Sequence, residues 1–397
     1  MHGGSPHAPR SGASEIFLVA GETSGDIQAA HLVRELRRRD PSVRIHGVGG
    51  SHLAEAGVTP FLDSSTWGVI GYVEPFLRAP SYLRWLLQVE QEIRHRRPGV
   101  LVLVDFPGFN LALAKRLRSS VPIVYYFPPM VSVRRGNRAA RIAALGMRLL
   151  AVLRREEDAY RAAGANVRFI GYPGLDLVRP RWDVATARAQ FGIPPKAPVI
   201  GLLPGSRGQE IRAHLPTLLA SAALLARATP ELHFVVPVPA AHLRGPVEDA
   251  VGRARLPVHI VVEIHDAMAV ARVLVVASGS ATLEAAILGI PMVTVYRLPW
   301  LSALIIRRIM AGRYVALPNI LAGREIVPEL LQTQMTPDAI AAAVGGLLTD
   351  PTRWDRVRAE LQAVVRQLGE PGAVARAADE VYRALGDARR VPFNAAT

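Results

Sequence analysis

The chain has 397 residues, half of them apolar, a formal charge of +14 and no cysteine. That length supports substantial cores and favours two domains, and the missing cysteines exclude disulfides, thiolate zinc sites and cysteine nucleophiles. The histidines show no paired spacing of the His-Glu-x-x-His kind, so neither a protein-held metal nor any other cofactor is expected.

A positive charge attracts nucleic acid, anionic lipid and phosphorylated substrates alike. Arginine carries nearly all of it, with lysine only at Lys115 and Lys196, a bias that reads as largely compositional. The arginines are spread over many helical patterns without an aromatic-interleaved basic run, which argues against nucleic acid. No 18-residue apolar run free of charge or helix breakers occurs, and residues 1–14, MHGGSPHAPRSGAS, lack the apolar core of a signal peptide. They read as a disordered tail, and the protein as cytosolic.

Short Val, Ile and Leu runs predict strands at 16–20, 43–48, 100–104, 121–126, 149–152 and 167–170, separated by helical patterns. GYPGLDLVRPRWD, Gly171 to Asp183, interrupts them with glycine, proline and mixed charge. A second series predicts strands near 198–203, 232–237, 258–262, 273–277 and 291–295, followed by helices at about 337–348, 351–368 and 371–385. The fold class is α/β, two Rossmann-like domains with parallel sheets facing across a cleft. Their expected bounds are 15–178 and 179–365, with a C-terminal helix and tail at 366–397 packing back on the first domain.

Four strand-to-helix turns can carry chemistry. Gly21-Glu22-Thr23-Ser24-Gly25-Asp26 is not Gly-x-Gly-x-x-Gly, and its carboxylates would repel a pyrophosphate while suiting sugar hydroxyls. After VLVLV stands Asp105-Phe106-Pro107-Gly108-Phe109-Asn110. From spacing alone Asp105 reads first as the N-cap of the helix containing Phe109, and second as a carboxylate at a cleft mouth, able to take a proton from an attacking hydroxyl.

In the second series, Pro204-Gly205-Ser206-Arg207-Gly208 offers backbone N–H groups, a helix start and a guanidinium, either as a diphosphate cradle or as a plain tight turn. In Ser278-Gly279-Ser280-Ala281-Thr282-Leu283-Glu284, Ser278 or Ser280 is expected to cap the helix. Glu284, one turn on, can accept hydrogen bonds from a ribose or be a solvated carboxylate. Neither an Asp-x-Asp metal signature nor a Gly-x-Ser-x-Gly elbow occurs, so a diphosphate leaving group would be stabilised by dipoles and arginine.

Together, LVAGETSGD, VDFPGFN, FIGYPGLD, LLPGSRGQEI, ASGSATLEAAILGIPMVTVYR and YVALPNILAGREIVPELLQ resemble the lipid-A-disaccharide synthase family of GT-B glycosyltransferases, over about residues 16 to 385. The resemblance implies an inverting transfer of a 2,3-diacylglucosamine unit from its UDP derivative to the 6-hydroxyl of 2,3-diacylglucosamine 1-phosphate. It makes the first domain the acceptor domain and the second the UDP-sugar domain. It implies Asp105 as general base, Gly205, Ser206, Arg207, Ser278, Gly279, Ser280, Glu284, Asn319, Arg324 and Glu325 on the UDP side, and Glu22, Ser24, Gly25 and Asp26 near the sugars. It also implies a homodimer and peripheral association with the inner face of the cytoplasmic membrane. Alternatives on the same fold are a UDP-sugar epimerase, a transferase with another acceptor, and a UDP-binding homologue without turnover.

Three departures from the family pattern lie in the first domain. Phe127-Pro128-Pro129-Met130-Val131-Ser132-Val133-Arg134 stands where Ser-Pro-x-Val-Trp-Ala-Trp-Arg is usual, Gly108 replaces an aspartate, and Tyr172 replaces a histidine. PFLRAPSYLRWLLQV (75–89) and PWLSALIIRRIM (299–310) read as packed amphipathic helices or as lipid-interface segments. Arg134, Arg135, Arg138 and Arg141 read as a basic face, functional or merely solvated.

Overall fold

The computed structural model describes residues 15–21, 23–64, 79–132, 136–238, 240–298 and 314–390. The chain divides into two compact units, Met1–Asp176 with Leu368–Thr397, and Leu177–Gln367.

In the first unit, β1 (Glu15–Ala20), β2 (Arg44–Gly49), β3 (Pro60–Asp63), β4 (Val100–Val104), β5 (Ile123–Tyr126), β6 (Arg148–Ala151) and β7 (Val167–Phe169) pair in parallel. Their order is β3-β2-β1-β4-β5-β6-β7. The helices α1 (Thr23–Arg39), α2 (Ser51–Glu55), α3 (Ala79–Arg96), α4 (Pro107–Leu117) and α5 (Arg154–Ala162) connect them. Every residue of β1 and β4 is buried, as a parallel sheet covered on both faces requires. Side chains alternate along each strand, so the sheet feeds two cores. Ile16, Leu18, Val100 and Val102 pack with Leu32 and Leu36 of α1, whereas Phe17, Val19, Leu101 and Leu103 pack with Val89 of α3 and Leu113 of α4. Each such buried side chain contributes about 1.5–3 kcal/mol of transfer free energy.

The second unit repeats the plan with β8 (Val199–Leu203), β9 (His233–Pro237), β10 (Val258–Val261), β11 (Val273–Ala277), β12 (Met292–Tyr296) and β13 (Glu329–Leu331), in the order β10-β9-β8-β11-β12-β13. Its helices include α6 (Gly208–Ala228), α7 (Ile264–Ala269), α8 (Ser280–Ile287), α9 (Leu317–Ala322), α10 (Pro337–Thr349) and α11 (Pro351–Val365). Thr336 and Asp350 cap α10 and α11 through side-chain bonds to Ala339 N and Arg353 N, each with proline in the first turn.

The last described helix, α12 (Ala373–Arg390), belongs to the first unit. Ala377, Ala378, Val381 and Leu385 join the core under α1, and Tyr382 donates to the Leu36 carbonyl at 2.7 Å. The buried Glu380 accepts from Arg148, Arg168 and Arg383. Asp176 caps the entry to this helix by accepting from Gly372 N and Ala373 N. Among the described residues, no helix is long and apolar enough to cross a membrane.

The two sheets thus contain every strand that the apolar runs predict, with ends shifted by a residue or two. They also contain β3 and β13, which no apolar run marks. Both are short edge strands: β3 opens on a proline and is only half-buried, and β13 opens on Glu329.

Candidate active site

In each sheet the strand order reverses once, between β1 and β4 in the first unit and between β8 and β11 in the second. At such a switch point neighbouring connections leave toward opposite faces, and the crevice beyond the strand C-termini is where open α/β sheets bind ligands. The four turns that sequence singles out follow these four strands. Ala20 lies opposite Val104, and Leu203 pairs beside Val276.

At the first switch point the two turns touch. A Cβ on Gly21 would stand 2.0 Å from Phe106 Cδ1, so glycine is required there for the ring to lie against the backbone. A Cβ on Gly25 would meet Asp105 Cβ at 3.6 Å, so the start of α1 and the Asp105 turn are in contact distance. Ser24 is exposed on the first turn of α1, and Glu22 lies outside the described residues. Asp26 is engaged by backbone. It is 3% exposed, and its oxygens accept from Gly50 N (2.8 Å), His52 N (3.0 Å) and Leu53 N (3.3 Å), tying the end of β2 and the start of α2 to α1.

Asp105 is not the N-cap that its spacing suggests. Phe106 holds that position, and both residues have φ of 48°, in the left-handed region that costs a non-glycine residue about 1–2 kcal/mol. Phe127, beyond the neighbouring β5, has φ of 58°. Three such residues thus stand at the ends of two adjacent strands, a clustering of strained backbone of the kind found at functional sites.

At the second switch point, α6 starts at Gly208 with Arg207 as its N-cap. The turn amides expected to face an anion already face one: Ser206 N and Arg207 N donate to Glu210 Oε2 at 3.0 and 3.3 Å, while Arg207 Nη1 and the Tyr296 hydroxyl reach Glu210 Oε1, each at 3.3 Å. Gly205, at φ 120°, makes room for this carboxylate, since a Cβ there would lie 2.4 Å from Glu210 Oε2. Behind the turn, fully buried His214 donates from Nδ1 to the Pro204 carbonyl (2.7 Å) and accepts at Nε2 from Arg297 N (3.0 Å), a tautomer assigned from its partners.

In the turn after β11, neither serine caps α8; Gly279 does, without a side-chain bond. Ser278 instead donates to the Val315 carbonyl at 2.9 Å, joining this turn to the segment leading into α9. Ser280 is the first residue of α8, and Glu284, one turn in, is not simply solvated: it lies 3.3 Å from His265 Nε2 of α7. Asn319 is placed as a strut rather than a ligand. It is 0% exposed, donates to the Val327 carbonyl and Glu329 Oε1, and accepts from Ile326 N and Val327 N. Glu329 in turn holds Val315 N and Ala316 N. Arg324 and Glu325 stay exposed on the loop this strut shapes, Arg324 paired with Glu360.

Loss of the Asn319 side chain orphans several buried groups, each worth about 1–3 kcal/mol. Asn319→Ala is therefore expected to destabilise the second unit by roughly 3 kcal/mol or more, a fall in Tm of about 6–12 °C. A thermal melt beside a UDP titration checks this, and unchanged Tm with weakened binding would return Asn319 to a ligand role.

Glu210, His214 and Glu329 escaped the sequence reading. A glutamate three residues past the N-cap is placed to accept from the N-cap amide, and that spacing could have exposed Glu210; nothing local marks Glu329.

The family departures have distinct settings. Val131 N and Ser132 of the altered loop bond to buried Glu156, and the Tyr160 hydroxyl holds the Pro129 carbonyl at 2.7 Å. Phe127 meets the Tyr172 ring edge-on at 6.5 Å. A Cβ at Gly108 would meet open space. On α3, Leu83 and Leu87 are 52% and 45% exposed, one helical turn apart. Arg138 and Arg141 lie on the helix Arg138–Ala143, whereas residues 75–78 and 299–310, Arg134 and Arg135 lie outside the described residues. Among the described residues no three carboxylates, histidines or cysteines cluster as a metal site would.

A family model for lipid-A-disaccharide synthetase matches residues 16–381. The lipid-A-disaccharide synthase of Geobacter sulfurreducens is 36% identical over 373 residues, 94% of this chain and 97% of that one. That of Anaeromyxobacter sp. strain K is 39% identical over 379 residues, 94% and 98% of the two chains. Among solved structures, UDP-GlcNAc 2-epimerase from Neisseria meningitidis aligns with a TM-score of 0.65 at 13% identity, covering 93% of this chain and 100% of that one. MurG of Acinetobacter baumannii aligns with a TM-score of 0.55 at 13% identity, covering 93% and 99%. At those identities the likeness is one of fold, the GT-B type built from two parallel α/β units. With a family model spanning nearly the whole chain and relatives above one-third identity at matching length, this chain belongs to the lipid-A-disaccharide synthetase family.

Proposed function

We propose that this protein forms the β-1,6-linked lipid A disaccharide from UDP-2,3-diacylglucosamine and 2,3-diacylglucosamine 1-phosphate, with inversion at the anomeric carbon and release of UDP. The observation that carries this reading, beside family membership, is the placing of all four motif turns at the two sheet switch points. The Asp105 carboxylate accepts the proton of the acceptor 6-hydroxyl as its oxygen attacks the anomeric carbon, and the bond to the diphosphate breaks with its electron pair leaving on UDP. The turn carrying Glu22, Ser24 and Gly25 serves the sugars, framed by Asp26.

On the donor side, Gly205, Ser206 and Arg207 receive the diphosphate, which replaces the Glu210 carboxylate as acceptor of the Ser206 and Arg207 amides. The start of α8 at Ser278, Gly279 and Ser280 supplies further N–H groups, Glu284 accepts from the ribose, and Arg324 with Glu325 borders the same side. Guanidinium and helix dipoles neutralise the leaving group without a metal ion. The exposed Leu83 and Leu87 support peripheral membrane contact through acylated substrates, and a homodimer is the assembly we propose.

Incubation of the purified protein with both acylated sugars, followed by mass spectrometry, tests the reaction. Disaccharide phosphate plus UDP is expected. An altered UDP-sugar without any acceptor would make the protein an epimerase, and tight UDP binding without product would make it a binding homologue.

A further inference from the structure

The backbone at Asp105 is turned out of its sheet at a defined atom. Asp105 N still donates to the Tyr126 carbonyl at 3.0 Å, the last rung between β4 and β5. In the register that pairs Val104 with Tyr126, the next rung would run to the Asp105 carbonyl from the amide of residue 128. That residue is Pro128, which has no N–H. An extended Asp105 would therefore leave its carbonyl without a ladder partner. Instead the left-handed pair Asp105-Phe106 carries the carbonyl elsewhere, to two buried donors: Asn110 Nδ2 at 2.7 Å and the Tyr125 hydroxyl at 2.9 Å. Asn110 Nδ2 also reaches the Val104 carbonyl at 3.2 Å. Both side chains are completely buried.

We propose that Tyr125 and Asn110 are positioning residues for the Asp105 carboxylate, gripping its carbonyl so that the left-handed backbone is fixed in the orientation that presents the side chain for proton transfer. This rests on the reading of Asp105 as the base. Neither residue is assigned a substrate contact; each acts through one carbonyl oxygen. Burial pushes the Tyr125 phenol well above its ordinary range, so it stays a donor throughout the working pH. Tyr125 is well suited to the role because its ring belongs to the core packed under β4, which leaves the hydroxyl little freedom to wander.

Tyr125→Phe removes only the hydroxyl and keeps the ring in its core. Assayed well below the melting temperature, it is expected to lower kcat about tenfold, with KM for both sugars within about twofold. The acid limb of the kcat–pH profile, which reports the base, is expected to move by roughly half a unit or more. Asn110→Ser removes the second donor and is expected to act alike; it carries the same test should Tyr125→Phe not fold. Wild-type kcat in the folded variants overturns the proposal, and so does a loss that vanishes once rates are scaled to the folded fraction with the pH profile unmoved. Asp105→Asn run alongside separates the two readings: an active Asp105→Asn removes the base, whereas an inactive Asp105→Asn beside a fully active Tyr125→Phe removes only the grip.

Discussion

Asp105→Asn is expected to lower disaccharide formation by about 10²- to 10⁴-fold, the usual worth of a positioned general base, while UDP affinity stays within about twofold. The substitution isolates the chemistry unusually well. Asparagine is nearly isosteric with aspartate and tolerates the left-handed backbone that this position adopts, so the turn should persist. The amide retains hydrogen-bonding capacity but cannot accept the hydroxyl proton at neutral pH. Asp105 lies in the first unit and the turn proposed for the diphosphate in the second, so donor binding has no reason to change. Single-turnover rates beside a UDP titration make the check. Near wild-type turnover would remove Asp105 from the base role, and a parallel loss of UDP affinity would mean that it acts through the fold.

The second large effect is on the donor. Arg207→Ala is expected to weaken UDP binding by about 10- to 100-fold, since a hydrogen bond to a charged group contributes roughly 1.5–3 kcal/mol. The loss has two sources. The guanidinium is removed from beside the diphosphate, and the Glu210 carboxylate, which Arg207 Nη1 approaches at 3.3 Å, is left less neutralised next to an incoming anion. Surface screening limits the second source, because the Arg207 side chain is 45% exposed. Calorimetry at two salt concentrations reads both parts: the deficit should shrink at high salt without vanishing. Equal affinity for UDP in mutant and parent would mean that the diphosphate binds elsewhere.

What was legible in the sequence follows the range of the interactions concerned. β1, β4, β8 and β11 each hold a five-residue run of apolar residues or glycine because both faces of a parallel sheet are covered, and such runs are visible in one dimension. The turns after them carry glycine and hydroxyls for local reasons, so they too are visible. The division of labour within the turns was not. Asp26 reads like its neighbour Glu22, but its partners Gly50, His52 and Leu53 are 24 to 27 residues away. Asn319 sits in a family motif and looks like a ligand, yet every hydrogen bond it makes goes to the segment seven to ten residues on, which it folds into a loop. Asp105 was expected one place too late in its helix start, because the cap fell on Phe106, a residue type that spacing rules would not choose. The left-handed pair could not be foreseen without Pro128, one strand over.

The proposed transfer requires the donor diphosphate to be held by backbone amides and a guanidinium at one switch point. The direct measurement is a crystal structure of the protein with UDP bound in the presence of a chelator. The phosphates are expected against Ser206, Arg207 and the start of α8, with the Glu210 carboxylate displaced from the turn amides. UDP bound away from the β8–β11 switch point, or binding that appears only when a divalent cation is restored and bridges the phosphates, would contradict it.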